Sequence, residues 1–389
     1  MKLTISRNEL WRGIDTVLDV VPSKPAMPVL GNLLLTTEEG GLTLAATDLD
    51  LSIRTRIGAT VIKPGRVTLP ARTFAEIARE WPEAELSIES REERVVISGK
   101  LDADEGSEGT YALTGMTSDE FPAMPESPAG LAVDFGTADA LDPQLLTKMI
   151  GKTAFAVSRD ETRPVLNGIL WHLDSEGIDM VATDGSRLAR YRQDAELSAQ
   201  VGDSQADVIL PTHLCTQLVK LLGADHQPPR VVVGDSQVFF DLGDTQLSSR
   251  VIEGPYVDYE QVIPKQNDKQ LVVANDRLLP AVRRVSILAS SYTHQVRLTL
   301  SADSVELSAT SQEIGGEARE IVPASYGHEE EEIEIGYNAV YLMEILRKMD
   351  GEEVTIDLLN SVTASLLRPT APAEGEDYFC LLMPLRPSG

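Results

Sequence analysis

The sequence repeats one pattern at a fixed interval. Residues 28–34 (PVLGNLL) are followed by Ala46-Thr47-Asp48, and the same order of apolar run, Gly-containing turn and Ala-Thr-Asp returns in 164–170 (PVLNGIL) and Ala182-Thr183-Asp184. Both blocks share one offset of 136 residues, from 28 to 164 and from 46 to 182. Two blocks separated by equal gaps indicate a duplicated structural unit, which constrains the fold before any local pattern does.

The length agrees with this duplication. A chain of 389 residues is long enough for two or three domains, and the offset favours three units of about 130 residues. We place the units at 1–127, 128–264 and 265–389. No apolar run approaches the ~20 residues of a membrane span, and the start of the chain lacks a signal peptide pattern. We therefore expect a cytoplasmic protein that does not bind a membrane.

Apolar periodicity predicts six helices, two in each unit. The first begins at Ser6, an N-cap candidate with Glu9 three residues later as in a capping box. Pro280 is expected to fall in the first turn of its helix. The six predicted helices are 6–21, 70–81, 142–157, 211–223, 276–289 and 337–350. Asp142-Pro143 supplies the N-cap of the third. About eight short alternating strands per unit separate the helices, which predicts an α+β fold with antiparallel sheets and excludes a doubly wound parallel sheet.

The charge is unevenly distributed. The net charge of −27 argues against contact with nucleic acid, yet the six helices hold twelve Lys and Arg against nine Asp and Glu. The remaining residues hold 22 basic against 52 acidic side chains (34 less 12, and 61 less 9). Charges on a single helix usually form its solvated face. Taken together, the slightly basic set of helices also fits a shared surface that faces phosphate, since the local field decides how a polyanion binds.

The sequence contains no motif that is typical of an enzyme's active site. The five histidines have no metal-ligand spacing, and the sequence contains no Gly-x-Ser-x-Gly, P-loop or dinucleotide pattern. Asp48 and Asp50 form a candidate carboxylate pair for a metal, but a structural turn is the favoured interpretation, as is a solvated loop for the acidic run 329–332. Cys215 and Cys380 are expected to be buried thiols. We predict no catalytic residue, metal or cofactor; a protein-binding scaffold without DNA stays an alternative.

Short motifs spread over the whole chain carry a family resemblance. They are PVLGNLLL at 28–35, ATDL at 46–49, LPAR at 69–72, LNG at 166–168, ATDGSRL at 182–188, IGYN at 335–338 and MPLR at 383–386. In this order, and colinear with the three-unit repeat, the chain resembles the bacterial DNA polymerase sliding clamps, the beta subunits of DNA polymerase III.

The resemblance implies an architecture and a function. It implies three similar clamp domains, each with two helices packed on antiparallel sheets, and a head-to-tail homodimeric ring with the helices inside. Double-stranded DNA would pass through the ring, held by backbone contacts that carry no sequence information. The basic helices and the resemblance together give the expected DNA-binding residues Lys24, Arg72, Lys148, Lys152, Arg159 and Arg163. Asp160 and Glu161 lie in the loop 158–163 that also carries Arg159 and Arg163, and these two acidic residues depart from the family pattern.

The resemblance also implies where two copies meet. Tyr111 and Leu113 correspond to apolar positions on one edge of the chain, and Ile287 and Leu288 to apolar positions on the other. Two different apolar edges suit a heterologous interface that closes into a ring. Plain core positions remain the alternative for these four residues.

The last implication is a pocket for short hydrophobic peptides of partners, between units two and three. The partners expected are replicative and translesion DNA polymerases, the clamp loader and repair proteins. The implied lining residues are Leu166, Thr183, Gly185, Ser186, Arg187, Leu188, Val257, Gln261, Val262, Val362, Ala364, Leu381, Met383, Pro384 and Leu385. Ser186, Val257 and Gln261 depart from the usual His, Pro and Arg, and three residues follow Arg386. A charge at Met383 or Leu188 is expected to abolish peptide binding without affecting the dimer.

Overall fold

The computed structural model describes residues 1–38, 40–101, 106–136, 141–142, 144–223, 227–313, 315–327 and 333–386. Over these ranges every strand pairing is antiparallel, which confirms the predicted α+β class. The chain forms two compact units. The first contains Met1–Gln144 and Thr216–Val251, and the second contains Leu145–Cys215 and Ile252–Gly389.

All six predicted helices are present. In chain order the helices are α1 (Arg7–Leu18), α2 (Ala71–Glu80), α3 (Leu145–Thr153), α4 (Ser198–Val201), α5 (Thr212–Leu222), α6 (Asn275–Val285) and α7 (Ala339–Leu346). Among the α-helices of the described residues, only the one-turn α4 was not predicted. Short 3-10 helices at Ala154–Ala156 and Ser286–Leu288 extend α3 and α6, so those two predicted helices end in a tighter turn.

The helix ends agree with their caps in part. Ser6 caps α1 by accepting the N–H of Glu9 at 3.3 Å. The Glu9 carboxylate does not complete the capping box, because it accepts from Arg12 at 2.8 Å. Pro143 lies outside the described residues, while Asp142 accepts the N–H of Gln144 at 2.8 Å.

The expectation for Pro280 is wrong. Because α6 begins at Asn275, Pro280 is its sixth residue and lies inside the helix. A proline there has no N–H to give to the carbonyl of Asp276, four residues earlier. The helix is held instead by its apolar face, where Leu278, Val282 and Val285 are buried.

Twenty-five strands are described. In chain order they are β1 (Lys2–Ser6), β2 (Asn32–Glu38), β3 (Gly41–Thr47), β4 (Leu51–Gly58), β5 (Thr60–Lys63), β6 (Gly65–Pro70), β7 (Glu85–Arg91), β8 (Arg94–Lys100), β9 (Glu108–Thr114), β10 (Leu131–Asp134), β11 (Gly168–Leu173), β12 (Gly177–Thr183), β13 (Arg187–Asp194), β14 (Ala206–Pro211), β15 (Arg230–Val233), β16 (Gln237–Asp241), β17 (Thr245–Arg250), β18 (Lys269–Ala274), β19 (Gln295–Ser301), β20 (Ser304–Ser311), β21 (Gly316–Tyr326), β22 (Ile333–Asn338), β23 (Glu353–Leu358), β24 (Ser365–Pro369) and β25 (Glu376–Leu382).

The sheets are built from two types of four-strand block, and each type occurs three times in the described residues. The first unit has a sheet β10-β15-β16-β17-β4-β3-β2-β6 and a second sheet β5-β1-β7-β8-β9. The second unit has one sheet, β14-β11-β12-β13-β25-β24-β23-β18-β21-β20-β19-β22. One block type therefore recurs as β6-β2-β3-β4, β14-β11-β12-β13 and β22-β19-β20-β21. The other recurs as β1-β7-β8-β9, β10-β15-β16-β17 and β18-β23-β24-β25.

Two strand pairs join a block of one type to a block of the other. In the first unit β4 pairs with β17, from Leu51 opposite Ser249 to Thr55 opposite Thr245. In the second unit β13 pairs with β25, from Arg187 opposite Leu382 to Gln193 opposite Glu376. We call these the first and the second internal joint. Each joint sits inside a compact unit, which is why the two units do not follow the three sequence repeats.

The cysteine prediction is confirmed, since Cys215 and Cys380 are buried free thiols. Burial raises the pKa of each thiol to about 12, so both stay protonated and unreactive near neutral pH. Among the described residues, no helix is long and apolar enough to cross a membrane.

Candidate functional site

The repeated Ala-Thr-Asp motif builds a tight turn after β12. The Asp184 carboxylate accepts the backbone N–H groups of Ser186 at 2.8 Å and Arg187 at 3.1 Å. The Thr183 hydroxyl donates to the Arg187 carbonyl at 2.6 Å and accepts the N–H of Gly185 at 3.1 Å. Gly185 has φ 92°, in the left-handed region that glycine enters without steric cost.

The same turn follows β3 in the first repeat. There the Asp48 carboxylate accepts the N–H groups of Asp50 at 3.0 Å and Leu51 at 2.7 Å. Leu49 occupies the left-handed position with φ 86°. The structural interpretation of Asp48 is thus confirmed. Across the described ranges, no group of three or more His, Cys, Asp or Glu side chains is placed to hold a metal ion.

Arg187, the first residue of β13, is a buried side chain that bonds to three other parts of the second unit. Its guanidinium donates to Asp184 at 3.1 Å, to the Phe155 carbonyl at 2.6 Å, and to the Glu344 carboxylate of α7. It also stacks over the ring of Tyr341, 4.3 Å from the ring centre. With these partners the side chain is 8% exposed. Arg187 therefore holds the turn against α7 and has little surface left for a ligand.

A cluster of apolar side chains lies beside this turn and spans the second internal joint. It contains three residues predicted for the pocket, Leu188, Ala364 and Leu381, together with Leu170, Val181, Ile209 and Phe379. Val165, Ile252, Tyr256, Tyr259, Ile263 and Leu366 pack against it. We call this set the joint cluster. Leu188 on β13 lies opposite Leu381 on β25, so strand pairing brings the two repeats' apolar residues together.

Four other predicted pocket residues are exposed apolar side chains, namely Val257, Val262, Val362 and Met383. Each adjoins the joint cluster along the chain: Val257 follows Tyr256, Val262 precedes Ile263, Val362 lies two residues before Ala364, and Met383 lies two residues after Leu381. We call these four exposed residues the rim and the buried residues of the joint cluster the floor.

The remaining predicted pocket residues are spread between floor and rim. Leu166 and Thr183 are buried, whereas Gly185 and Ser186 are exposed. The Ser186 carbonyl accepts the N–H of Met383 at 2.9 Å, which holds Met383 beside the turn. Gln261 is held by Asp258, whose carboxylate accepts its amide at 2.7 Å. Beyond Pro384, the N–H of Leu385 donates to the Gly336 carbonyl on β22 at 2.8 Å.

Sequence reasoning did not predict several members of the joint cluster. Leu170 closes the repeated PVLNGIL segment, and it lies in a run of buried residues in β11 that does not alternate. Tyr256 and Tyr259 come from the connection that follows β17, where no periodic pattern exists. Burial raises the pKa of Tyr256 well above its usual range, and its hydroxyl donates to the Val181 carbonyl at 3.4 Å.

A polar cavity of about 610 Å³ adjoins this surface, sharing Leu170, Ile209, Tyr256 and Val257 with it. His172 lies in its wall between two carboxylates, 2.6 Å from Asp207 and 3.2 Å from Asp174. Burial opposes the charged imidazole, but both carboxylates favour it, and the pKa of His172 is raised. Asp179, also in the wall, is paired with Arg190 at 2.8 Å and Arg192 at 2.7 Å.

Three of the predicted DNA-binding side chains are exposed and have no ion-pair partner among the described residues, namely Lys24, Arg72 and Arg159. In the first unit Arg72 donates to the Val21 carbonyl at 3.4 Å, which places the start of α2 beside the loop that carries Lys24. The loop 158–163 of the second unit is the copy of 22–27 at the repeat offset. Asp160 stands there in place of Lys24, and its carboxylate accepts from Thr162 and Arg163.

The other three predicted DNA-binding side chains are already paired. Lys152 is buried, its ammonium 2.7 Å from Asp350 and bonded to the Lys348 carbonyl. Its burial contradicts the predicted role. Lys148 pairs with Glu376 and lies over the Tyr191 ring; burial opposes its charge, but Glu376 and Tyr191 raise its pKa. Arg163 is exposed but pairs with Asp160 at 2.9 Å.

The predicted edge residues lie on one edge strand and in one 3-10 helix. Tyr111 and Leu113 belong to β9, and the Tyr111 ring packs edge-on against Trp81, with ring centres 5.1 Å apart. Ile287 and Leu288 belong to the 3-10 helix after α6. Tyr111 is 46% and Ile287 74% exposed, so neither is a core position in the chain by itself.

Comparison with known proteins agrees with the repeated architecture. Family models of the DNA polymerase III beta subunit match in three parts: the N-terminal domain over residues 1–125, the central domain over 140–258 and the C-terminal domain over 260–386. The chain belongs to this family, the bacterial beta sliding clamps. It consists of three clamp domains, each with helices and antiparallel sheets.

Related sequences and solved structures match this chain over nearly its full length. The beta sliding clamp of Caulobacter vibrioides is 33% identical over 395 residues, covering 99% of this chain and 100% of its own. That of Salmonella typhimurium is 31% identical over 389 residues, with coverage of 99% and 100%. The crystal structure of the DNA polymerase III subunit beta from Pseudomonas aeruginosa superposes with a TM-score of 0.90 at 28% identity, covering 99% and 100%. The family is that of DNA polymerase processivity factors.

Proposed function

We propose that two copies of this chain close head to tail into a ring around double-stranded DNA, and that the ring tethers polymerases and other partners. The observation that carries the proposal is a pair of unmatched sheet edges. Each internal joint pairs the last strand of one block type with the last strand of the other. Because β4 pairs with β17 and β13 pairs with β25, two blocks have a last strand that takes part in no joint, and these last strands are β9 and β21.

Both of these strands, β9 and β21, are suited to pair with a strand of another chain. β9 pairs with β8 alone over the described residues. β21 pairs with β20 along its length, but with β18 only at Ala324, Ser325 and Tyr326. Free backbone groups on an edge strand are a template for another chain. Exposed Tyr111 on β9, and Ile321 on β21, 62% exposed, add apolar surface to both edges.

A contact between two different edges is heterologous, and such contacts form a ring when the rotation between copies closes. Pairing β9 of one copy with β21 of the other would repeat the internal joints at two further places. The edge residues Tyr111, Leu113, Ile287 and Leu288 would lie in these contacts. The three-domain division at 1–127, 128–264 and 265–389 is part of this proposal, supported by the three family matches.

The DNA contact in this proposal rests on exposed cations. Lys24, Arg72 and Arg159 meet that condition, and Arg163 could exchange Asp160 for a phosphate. Lys152 is withdrawn from the set because it is buried, and Lys148 is a weaker candidate because Glu376 already neutralises it. Contacts of this kind neutralise phosphates and read no bases, so binding is independent of sequence and weakens steeply with salt.

The partner site in this proposal is the apolar rim of Val257, Val262, Val362 and Met383 over the joint cluster. An apolar surface with a few polar groups suits short hydrophobic peptides, and methionine adapts to varied partners. Polymerases, the clamp loader and repair proteins would compete for it. Each partner would need only a short segment, because the ring supplies the attachment to DNA. In this proposal the protein has no catalytic activity of its own and works in the cytoplasm.

Self-association tests the ring directly. In sedimentation equilibrium we expect twice the chain mass of 42.3 kDa for the wild type, and a shift to monomer for Ile287→Asp. Ile62→Asp is the matched control, because Ile62 is similarly exposed, at 59%, but lies on β5, at the opposite edge of the sheet from β9. A wild type that stays monomeric at micromolar concentration would overturn the proposal.

A further inference from the structure

Both internal joints contain an ion pair between helices in addition to the paired strands. At the first joint, Lys220 of α5 lies 2.8 Å from the Asp19 carboxylate and 3.4 Å from that of Asp15, at the end of α1. At the second joint, Lys152 of α3 lies 2.7 Å from Asp350, just beyond α7. In each case the first helix of one repeat meets the C-terminal end of the second helix of the next repeat.

The same rule assigns the helices of the joint between copies. The first helix of the third repeat is α6, and the second helix of the first repeat is α2. The buried residues Leu278, Val282 and Val285 of α6 have the spacing of Leu10, Ile14 and Val17 in α1. On that correspondence Arg283 takes the position of Asp15, and Ile287 takes the position of Asp19.

The receiving end of α2 carries a small apolar pocket with an acidic rim. The pocket, about 270 Å³ in volume, is lined by Ile77, Trp81, Leu101 and Tyr111, with Glu76 and Glu80 beside them. Arg79 follows Pro70 by nine residues, as Lys220 follows Pro211, so this end of α2 is the counterpart of the Lys220 contact. Arg79 is already paired with Glu80 at 3.2 Å.

Charge is available on both sides of this contact. Arg283 and Glu76 are exposed, and neither has an ion-pair partner among the described residues. Arg283 and Ile287 are four positions apart, which puts them on one face of the helical segment. An Ile287 side chain seated in the pocket would bring Arg283 to its rim. The neighbouring Arg284 is engaged within its own chain, where it donates to Glu320 at 3.1 Å.

We propose that Arg283 of one copy forms ion pairs with Glu76 and Glu80 of the other copy, beside Ile287 in the pocket of Trp81 and Tyr111. The inference rests on the proposed dimer and deepens it. Relative to the first internal joint the polarity is reversed, because the base now sits on the first helix and the acids on the second. Contact between two α6 helices would oppose three arginines on each, so the charges also select the head-to-tail arrangement.

A charge swap tests the pairing. The dimer dissociation constant is measured by sedimentation for Arg283→Glu, for the double variant Glu76→Arg with Glu80→Arg, and for the chain that carries all three changes. We expect each partial set to raise the constant by about tenfold or more, and the full swap to return it to within about threefold of the wild type. The wild-type constant should rise with salt concentration, since exposed pairs are screened.

Arg277→Glu is the matched control, because it changes the same charge on an exposed position of the same helix. It should move the constant by less than about threefold. A monomeric wild type would overturn the dimer itself. A dimeric wild type with constants unchanged in Arg283→Glu, or with no recovery in the full swap, would overturn only the ion pairing. Thermal unfolding of every variant checks that the fold is retained.

Discussion

Leu188 of β13 lies directly opposite Leu381 of β25 in the antiparallel sheet of the second unit. The two residues come from different sequence repeats, so this pair closes the second internal joint and forms part of the floor of the proposed peptide site. Leu188 is 1% exposed. A charge at Leu188 would therefore disrupt the joint itself, which makes it unsuitable as the test of peptide binding that the sequence suggested.

Met383 is the better position for that test. Its side chain is 43% exposed at the rim, so Met383→Glu should weaken a labelled hydrophobic partner peptide by at least about tenfold. The free energy of unfolding should change by less than about 0.5 kcal/mol. Fluorescence anisotropy measures the affinity, with Ile62→Glu as an exposed apolar control in the other unit. Peptide affinity that survives the change would place the site elsewhere.

Arg187→Ala should destabilise the second unit by about 3 kcal/mol. The change leaves the Asp184 and Glu344 carboxylates without their shared cation and removes a hydrogen bond from the Phe155 carbonyl. Urea unfolding measures the loss. Arg347→Ala is the control, since Arg347 is exposed and should cost less than about 0.5 kcal/mol. Equal stabilities for the two variants would show that the Arg187 network contributes nothing.

The two copies of the Thr-Asp turn predict opposite effects of glycine. Leu49 occupies a left-handed conformation with about half of its side chain exposed, and that conformation costs a non-glycine residue roughly 1 to 2 kcal/mol. Glycine loses about 0.5 to 1 kcal/mol more entropy on folding, so Leu49→Gly should stabilise the protein by about 0.5 kcal/mol.

The reverse change, Gly185→Leu, should destabilise the protein by roughly 1 to 2 kcal/mol, because Gly185 occupies the matching position. Thermal unfolding of both variants measures the two effects. Destabilisation by Leu49→Gly would show that the Leu49 side chain, rather than its backbone, determines stability there.

His172 gives the second unit a pH-dependent contribution to stability. The pKa of His172 is raised above its ordinary value of 6.5, because the hydrogen bonds to Asp207 and Asp174 outweigh burial. The contribution is therefore fully present below the unfolded pKa and is lost as pH rises through the folded pKa. The free energy of unfolding of the wild type minus that of His172→Gln should be positive near pH 5.5 and smaller near pH 9.

The size of this difference should stay below about 1 kcal/mol, because Asp207 is more than half exposed and solvent screens the pair. Urea unfolding at the two pH values measures it. A difference that grows with pH would mean that the neutral imidazole is the form the fold prefers.

The sequence predicted the helices well because their signals are local. Leu10, Ile14 and Val17 recur at helical spacing, and Pro70 and Pro211 mark the starts of equivalent helices, so six helices were placed within a few residues. The start of α6 was predicted to within one residue, so Pro280 was misplaced because the buried apolar face of the helix tolerates a proline in its interior. Strands such as β10 and β21 were not predicted: β10 has four residues, and charged outward side chains on β21 conceal its alternation.

The sequence predicted which residues belong to the candidate site, but not which of them are buried and which are exposed. Family motifs pointed to Leu188, Ala364 and Leu381, but their separation into a buried floor and an exposed rim depends on the pairing of β13 with β25, which no local pattern encodes. Lys152 shows the same limit. Its charge and helical position suggested contact with DNA, whereas the fold buries it and places its ammonium beside Asp350 and the Lys348 carbonyl, nearly two hundred residues away in sequence.

Retention on DNA of different topology tests the ring most directly. The protein is loaded onto a labelled nicked circle by its clamp loader, separated from free protein by gel filtration, and measured again after a single restriction cut. We predict that the protein stays with the circle and is lost from the cut DNA, because a topological link needs no tight binding. Equal retention on circular and linear DNA would contradict the account.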